Sequence, residues 1–485
     1  MEELLDLSEV VVDPSCAMQV PYDFAFACKV LPLSVVNGDM IVAMADPTNV
    51  RTIAELRRGL GVPVLARGVD PAELEKLLSK IYGGIQAMQS DGELDGAVQT
   101  VDSLLRTAFL RHASDIHFDP DANGVRVRFR IDGDLVDVMR IPPELQPSVT
   151  SRLKVMAEVK LDERRAPQDG AFSWRIPEAF VSGESHLDVR VATLPGHYGE
   201  KVTLRLLETD SRRFTVDALG MLEADRGAFL RVLESPHGLV LLTGPTGSGK
   251  TTTLYAAIQH LLSMRSLNIV TVENPIEYEI PGIFQAEVDA ADKVNFTKAL
   301  RSILRHDPDV IMIGEIRDAE SLDTAVKAAL TGHLVLSTLH TNDSVNAVTR
   351  LSNMGLERHL VAATLRLSVA QRLVRSLCQR CRVPRLASAV DAARLGRREL
   401  EGAQVYGRGG CVYCAGRGLR GRIGLFELFR PDVDMQSAIA DGASEHEIRR
   451  LYRAAGGRML VDDGLDKCLA GLTTVDEVGR AACCA

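Results

Sequence analysis

A basic excess, long apolar runs and an export signal are all missing from this 485-residue chain. Lysines and arginines number 56 against 65 aspartates and glutamates, a formal net charge of −9. A dominant nucleic-acid surface needs a basic stripe to neutralise phosphates, so this balance argues against one. A basic groove interleaved with aromatics, the equipment for gripping single strands, is missing too. No stretch approaches the ~18 apolar residues of a membrane span. The opening MEELLDLSEV is acidic and lacks the basic segment and apolar run of a secretory leader. The expectation is a cytosolic protein whose 9 cysteines stay reduced rather than forming disulfides. No internal repeat is present.

What is there is globular material. Hydrophobic residues make up 46% and charged ones 25%, enough for sizeable cores. The length predicts about three domains at ~150 residues each. Residues 4–82 mix short β-rich pieces (Met40 to Met44) with helical ones (Pro71 to Ile81). Gly83, Gly84 and the polar QSDGELDG run before Val98 read as a linker. A helix over Thr100–His112 follows, then a hairpin: VRVRFRI (Val125 to Ile131) alternates, Asp132-Gly133 turns, Leu135 to Met139 returns. A second strand pair, Leu187 to Val191 and Lys201 to Leu207, brackets Pro195-Gly196. From about Phe214 onward short apolar strands alternate with helices: LVLL, IVTV, VIMI, a helix over 319–330, then LVLST. That alternation predicts a mainly parallel sheet covered on both faces.

The most informative segment is Gly238 to Leu254, GLVLLTGPTGSGKTTTL. An apolar strand enters the turn Gly244, Pro245, Thr246, Gly247, Ser248, Gly249, Lys250, Thr251, and a helix leaves it through Thr252. This is the G-x-x-x-x-G-K-[ST] phosphate-binding loop in its strand–loop–helix context. Its glycines let successive amides turn toward one polyphosphate. Lys250 supplies a charge for the β- and γ-phosphates, Thr251 a Mg²⁺ ligand, and the helix N-terminus its dipole. The chain is expected to bind ATP with Mg²⁺.

Open α/β sheets bind ligands at strand C-termini, and polar groups gather there. IVTV ends in Glu273, Asn274, Pro275, Ile276 and Glu277; VIMI ends in Gly314-Glu315; LVLST ends at Leu339-His340. Phosphoryl transfer to water needs a metal-side carboxylate, a group to orient the water and cations for the transition state. Glu315 suits the Mg²⁺, Glu273 and Glu277 the water, and His333 and His340 the γ-phosphate; His333, beside a glycine, is equally read as a cap.

Cys378-Gln-Arg-Cys381 and Cys411-Val-Tyr-Cys414 form a CxxC…CxxC pair. Two such knuckles supply the four thiolates of a structural Zn²⁺ site with no open position for water. The interval, residues 382 to 410, exceeds that of a compact zinc ribbon and predicts a helical insertion. Cys16, Cys28, Cys468, Cys483 and Cys484 have no partner pattern and read as buried or frayed thiols.

GPTGSGKTTTLY, VENPIEY, LRHDPDVIMIGEIRD and TGHLVLSTLHTNDS together resemble the four nucleotide motifs of the secretion ATPases, the motors of type II secretion and type IV pili. Outside the nucleotide core, ASDIHFDP, VRFRIDG, ERRAPQDG, LDVRVATLPGHYGEKVTLRLL and GRIGLFELF are similar to the same family. The resemblance implies an α/β protein with three parts. A small α/β partner-docking domain spans 1–84 and a PAS-like α+β domain 97–210. A RecA-like P-loop NTPase motor domain spans 214–485, with a tetracysteine zinc module at 376–420 and a helical C-terminal part.

It also implies a homo-hexamer that hydrolyses ATP to drive pseudopilus assembly and protein export. The motor would be cytoplasmic, peripheral at the inner membrane through partners only: a platform protein and a cytoplasmic docking domain of the machine. Arg190 and Arg205 match arginines that reach the phosphates on domain closure, and Arg301, Arg305, Arg317 and Arg422 match others near subunit interfaces. Assembly-type motors of this family carry the tetracysteine element. Val30 to Val50 resembles the part that docks on a partner.

Two departures stand out. Asn274 occupies the position that is Asp in the family's acidic box. The paired leucine-rich motifs by which longer relatives bind cyclic di-GMP are not seen at the start, so no such regulation is expected. Type IV pilus assembly is the alternative within the same chemistry. A RecA-like DNA translocase and a nucleotide-regulated scaffold without turnover are the more distant ones.

Overall fold

The computed structural model describes residues 5, 14–17, 19–36, 38–82, 93–176, 186–207, 215–288, 296–411, 414 and 417–482. Cys483, Cys484 and most of the expected 83–97 linker lie outside them. The chain forms two compact units. One holds the described residues of 1–209 with Cys378–Val383 and Arg408–Arg420; the other holds those of 210–377, Pro384–Gly407 and those of 421–485.

Within the first unit, β1 (Val30–Val36), β2 (Asp39–Met44) and β3 (Val64–Gly68) make a three-stranded sheet. Its apolar residues, Leu31, Leu33, Met40, Val42 and Met44, pack with Leu56, Leu74, Leu78 and Tyr82 from the helices Val50–Leu60 and Pro71–Tyr82. Asn49 caps the first of these helices by accepting from the Thr52 amide.

The next sheet contains β4 (Ala113–Asp121), β5 (Gly124–Ile131), β6 (Asp134–Ile141), β7 (Gln168–Arg175), β8 (His186–Leu194) and β9 (Lys201–Leu207), in the order β6-β5-β4-β9-β8-β7. All five pairings are antiparallel. Both expected hairpins are present. Asp132 (φ 51°) and Gly133 (φ 94°) form the two-residue turn between β5 and β6, both in the left-handed region that a tight hairpin requires. One face carries Ile116, Phe118, Val127, Phe129, Val189 and Leu204, covered by Leu104 and Leu105 of the helix Glu93–Leu110 and Leu153 of Gln146–Met156. That helix starts at Glu93, not at Thr100 as the composition suggests. Its first turns are polar enough to read as linker.

The second unit is built on a seven-stranded sheet: β10 (Gly238–Thr243), β11 (Ile269–Glu273), β12 (Phe284–Glu287), β13 (Val310–Ile313), β14 (Leu334–Leu339), β15 (Leu365–Leu377) and β18 (Leu419–Phe429), ordered β12-β11-β13-β14-β10-β15-β18. β16 (Val383–Leu386) and β17 (Gln404–Gly407) form a separate two-stranded ribbon. The pairings from β12 through to β15 are parallel. Alternate residues of each strand feed opposite cores. Leu239, Leu241, Ile311, Ile313 and Val335 face one core, with the helices Ala319–Leu330 and Asn346–Asn353. Val240, Leu242, Val310, Met312 and Leu336 face the other, with Glu223–Leu233 and Lys250–Met264. At ~1.5–3 kcal/mol for each such side chain fully buried, these two layers hold the strand ends in fixed register.

The 382–410 interval carries a helix, Ala389–Leu395, opened by a capping box between Ser388 and Asp391. The sequence grouped all of 376–420 with the motor domain. The structure divides it: the cysteine loops belong to the first unit, while Pro384–Gly407 stays with the second.

Candidate functional site

β10 is buried along its whole length and delivers Gly244 to the C-terminal edge of the parallel sheet. Gly244 is required by crowding: a Cβ there would lie 2.5 Å from the Gln371 carbonyl and 2.7 Å from Ser248 Oγ. Gln371, itself buried, accepts from Thr253 Oγ1 at 2.8 Å and so ties β15 to the helix that leaves the loop. Lys250 Nζ donates to the loop carbonyls of Gly244 (2.8 Å) and Pro245 (2.9 Å). Ser248 Oγ is buried without a hydrogen-bond partner among the described residues. An orphaned hydroxyl and an ammonium curled into its own loop suit a ligand rich in acceptor oxygens.

Burial holds the Lys250 ammonium below its usual range, against the pull of Glu315, with the push of Arg372 and against the pull of Glu277. The glycine loop, Glu315 and the acidic box therefore share one electrostatic neighbourhood. Beside them a cleft of about 480 Å³ is lined by Pro245, Thr246, Gly247, Ser248, Arg372 and Arg480, among others.

The two box glutamates have different surroundings. Glu273 is buried, at 3% exposure. Its carboxylate accepts from Tyr255 Oη (2.5 Å), Thr271 Oγ1 (2.6 Å) and Gln285 Nε2 (3.0 Å). That set commits Glu273 to holding the box in place. Glu277 is exposed, and its amide donates to Tyr255 Oη at 3.2 Å. Asn274 Nδ2 donates to the Val288 carbonyl at 2.6 Å, a bond that the family's aspartate cannot make.

Glu315 is half-buried, its side chain 22% exposed. It accepts from Arg317 and sits 3.4 Å from His340 Nε2. Burial pushes its carboxyl up, but Arg317 and then His340 outweigh this and leave it below the usual carboxylate range. A carboxylate held ionised suits a hard cation. His333 lies elsewhere: Leu334 pairs with Gly238 at the start of β10, whereas Leu339 pairs with Thr243 at its end. His333 thus stands at the opposite edge of the sheet from the loop, its Nδ1 within 3.0 Å of the Ala328 carbonyl, so the cap reading fits it and the γ-phosphate reading does not.

In the first unit Arg190 and Arg205 are direct partners across β8 and β9. Arg205 Nε donates to Asp115 at 3.1 Å, and Arg130 approaches the same carboxylate at 3.7 Å. Of the other motif arginines, Arg301 donates to Glu320 (2.9 Å), Arg305 to the Arg301 carbonyl (3.4 Å), and Arg422 is exposed.

The four cysteines converge. All Sγ atoms lie within 4.8 Å of one another, with separations of 3.8 Å (Cys378–Cys411), 3.7 Å (Cys381–Cys414) and 3.8 Å (Cys411–Cys414). A tetrahedral site with Zn–S of ~2.3 Å has edges of ~3.8 Å. The Cys414 sulfur also accepts from the amides of Cys411 (3.4 Å) and Gly418 (3.1 Å), as a thiolate ligand would. The four residues fit a metal ion. None of the described cysteines forms a disulfide, and Cys16 and Cys468 are buried.

Sequence reasoning missed Tyr255, Gln371, Arg372 and Arg480. Gln371 and Arg372 sit in an apolar strand with no turn or motif spacing to mark them. Only the register that pairs Thr243 with Ala370 brings them to the loop.

Among the described residues, no helix is long and apolar enough to cross a membrane. Residues 2–88 match the profile of the MshEN domain family and residues 92–480 that of the Type II/IV secretion system protein family. Type II secretion system protein E of Pseudomonas aeruginosa is 45% identical, the match covering 98% of this chain and 98% of the relative. Type IV pilus assembly ATPase PilB of Thermus thermophilus is 37% identical over 98% of this chain and 55% of its own length. The crystal structure of the pilus retraction motor PilT with bound ADP is 26% identical and covers 78% of this chain and 95% of that one, with a TM-score of 0.53. A phosphate loop, its strand-end acids and this agreement across nearly the whole chain lead to one assignment: the protein belongs to the Type II/IV secretion system protein family, an ATPase family with a RecA-like fold.

Proposed function

We propose that this protein is the cytoplasmic ATPase of a type II secretion machine, a hexameric motor that turns ATP hydrolysis into pseudopilus assembly and protein export. The observation that carries the reading is the grouping of Lys250, Glu315 and Glu277 in one electrostatic neighbourhood at the sheet edge. Residues Gly244 to Thr252 hold the phosphates, with Lys250 on the β- and γ-oxygens. Thr251 and Glu315 hold magnesium, which when bound neutralises charge on those oxygens. Glu277 orients the attacking water, Glu273 fixes the loop that carries Glu277, and His340 reports on the γ-phosphate through Glu315.

Arg190 and Arg205 complete the site in the closed, assembled motor, where such arginines are worth ~10³–10⁵ in rate. The domain division at 1–84, 97–210 and 214–485, less the cysteine loops that group with the first unit, follows the same reading, with Cys378, Cys381, Cys411 and Cys414 holding a structural zinc. Val35, Val36 and Val50 are exposed on the first domain. They belong to the Val30–Val50 segment assigned to a docking partner, through which the motor reaches an inner-membrane platform protein.

Phosphate release by the assembled, metal-replete protein tests this. Turnover should be abolished by Lys250→Ala, and nucleotide uptake with it; a Lys250→Ala variant that hydrolyses ATP normally overturns the assignment. The similarity to PilB favours type IV pilus assembly as a second reading. Deleting the gene separates the two: lost exoprotein secretion with pili intact supports export, and the reverse supports pili.

A further inference from the structure

Tyr255 links the helix that receives the phosphates to the loop that carries the water-orienting acid. It stands one turn after Thr251 on the helix Lys250–Met264, and residues four apart share a helix face. The ring is fully buried, so its hydroxyl has one fixed place to point. There it donates to Glu273 (2.5 Å) and accepts the amides of Glu277 (3.2 Å) and Tyr278 (3.4 Å). Glu273 is locked from its other side by Thr271 and Gln285, and Gln285 Nε2 also donates to the Tyr278 carbonyl at 3.0 Å. Among the described residues, every bond to this hydroxyl comes from the acidic box.

We propose that Tyr255 is a positioning residue for hydrolysis: its hydroxyl, aligned by Glu273, holds the Glu277 backbone so that the Glu277 carboxylate faces the phosphate loop. The proposal rests on the assignment of Glu277 as the water-orienting group. Tyr255 acts through Glu277, whose amide it holds. Burial sets the phenyl ring, and only the hydroxyl carries the link, so Tyr255→Phe removes the link and keeps the packing.

Turnover and nucleotide affinity are measured separately on the assembled, metal-replete protein, with Mg–ADP as the calorimetric probe. Tyr255→Phe should lower kcat by roughly 10–100-fold, the scale of a ~1 Å misplacement at a reacting centre. Its Kd for Mg–ADP should stay within about twofold of wild type, since uniform binding is untouched. Tyr452→Phe is the structural control: it removes a buried hydroxyl of the same unit, bonded to the Leu428 and Arg458 carbonyls, and should leave both quantities unchanged.

Because the effect runs through Glu277, Tyr255→Phe should cost nothing further in a Glu277→Gln background. Glu273→Gln, which keeps the shape of the brace, should reproduce the kcat defect and serves if Tyr255→Phe folds poorly. Near-wild-type kcat in Tyr255→Phe, parallel losses of affinity and turnover, or multiplicative effects with Glu277→Gln each overturn the proposal. Full turnover in Glu277→Gln removes the underlying assignment instead, and is told apart by that single variant.

Discussion

Arg190 and Arg205 face each other directly across β8 and β9, two guanidiniums in one cross-strand pair. Like charges so placed oppose folding by a few tenths of a kcal/mol. Asp115, its side chain 9% exposed, offsets this by taking Arg205 at 3.1 Å. Two like charges set opposite each other, one of them held by a buried acid, fit arginines kept for chemistry. Arg190→Ala should leave nucleotide binding intact, while turnover in the assembled motor collapses. Unchanged hydrolysis would remove Arg190 from the site.

Asn274 donates to the Val288 carbonyl at 2.6 Å. In Asn274→Asp a carboxylate oxygen would meet that carbonyl with no proton between them, leaving two acceptors opposed. The expected loss is ~1–3 kcal/mol, the cost of an unmade bond to a polar group, read from denaturant melts. A variant as stable as the parent would show that the box relaxes around the charge.

The Glu315 carboxyl is raised by burial but brought net below its usual range by Arg317 and then His340. A folded value below the unfolded one means that the unfolded chain binds more protons. The pairing therefore stabilises above the unfolded value, and its contribution fades as pH falls through the folded value. Arg317→Ala removes the main lowering contact, so the acid limb of the kcat profile should move to higher pH, scanned from about pH 4.5 to 8. The position of the limb, not its height, is the readout.

In the first unit Lys154 and Glu200 form a buried pair at 3.0 and 3.1 Å, and Lys154 also donates to the Glu163 carbonyl at 2.6 Å. Their side chains are only 2% and 8% exposed. Lys154→Met strands a buried carboxylate and should cost ~3–5 kcal/mol, whereas Lys154→Met with Glu200→Leu should recover much of it. Chemical denaturation of both variants gives the comparison.

Purified protein should carry one zinc per chain, measured by elemental analysis, and Cys414→Ser should lose it. Chelation should lower the melting temperature, because metal binding is coupled to folding of the two cysteine loops. A stable, metal-free protein at full activity would refute a structural metal.

Several features were legible in the chain because short-range spacing carries them. The phosphate loop needs its glycines, lysine and threonine at fixed offsets, and the knuckles need two thiols three residues apart. The β5–β6 hairpin needs an Asp-Gly between alternating runs. Each requirement is met within a dozen residues, where backbone geometry leaves few alternatives. The polar start of the Glu93–Leu110 helix was not legible, because composition cannot separate a soluble first turn from a linker.

Assignments that depend on strand register needed the folded chain. His333 and His340 are both histidines beside an apolar strand. The pairing of Leu339 with Thr243 places His340 at the loop edge and leaves His333 at the far one. Glu273 and Glu277 stand in one acidic box, yet three donors from separate elements bury and commit the first while the second stays exposed. Tyr255 looks like any aromatic on an apolar helix face until the acidic box folds against its hydroxyl. Sequence by itself decided which chemistry this protein carries, since that chemistry is written in local spacing. Tertiary structure decided where each of those residues stands and what surrounds it, because burial and hydrogen-bond partners are set by segments far apart in the chain.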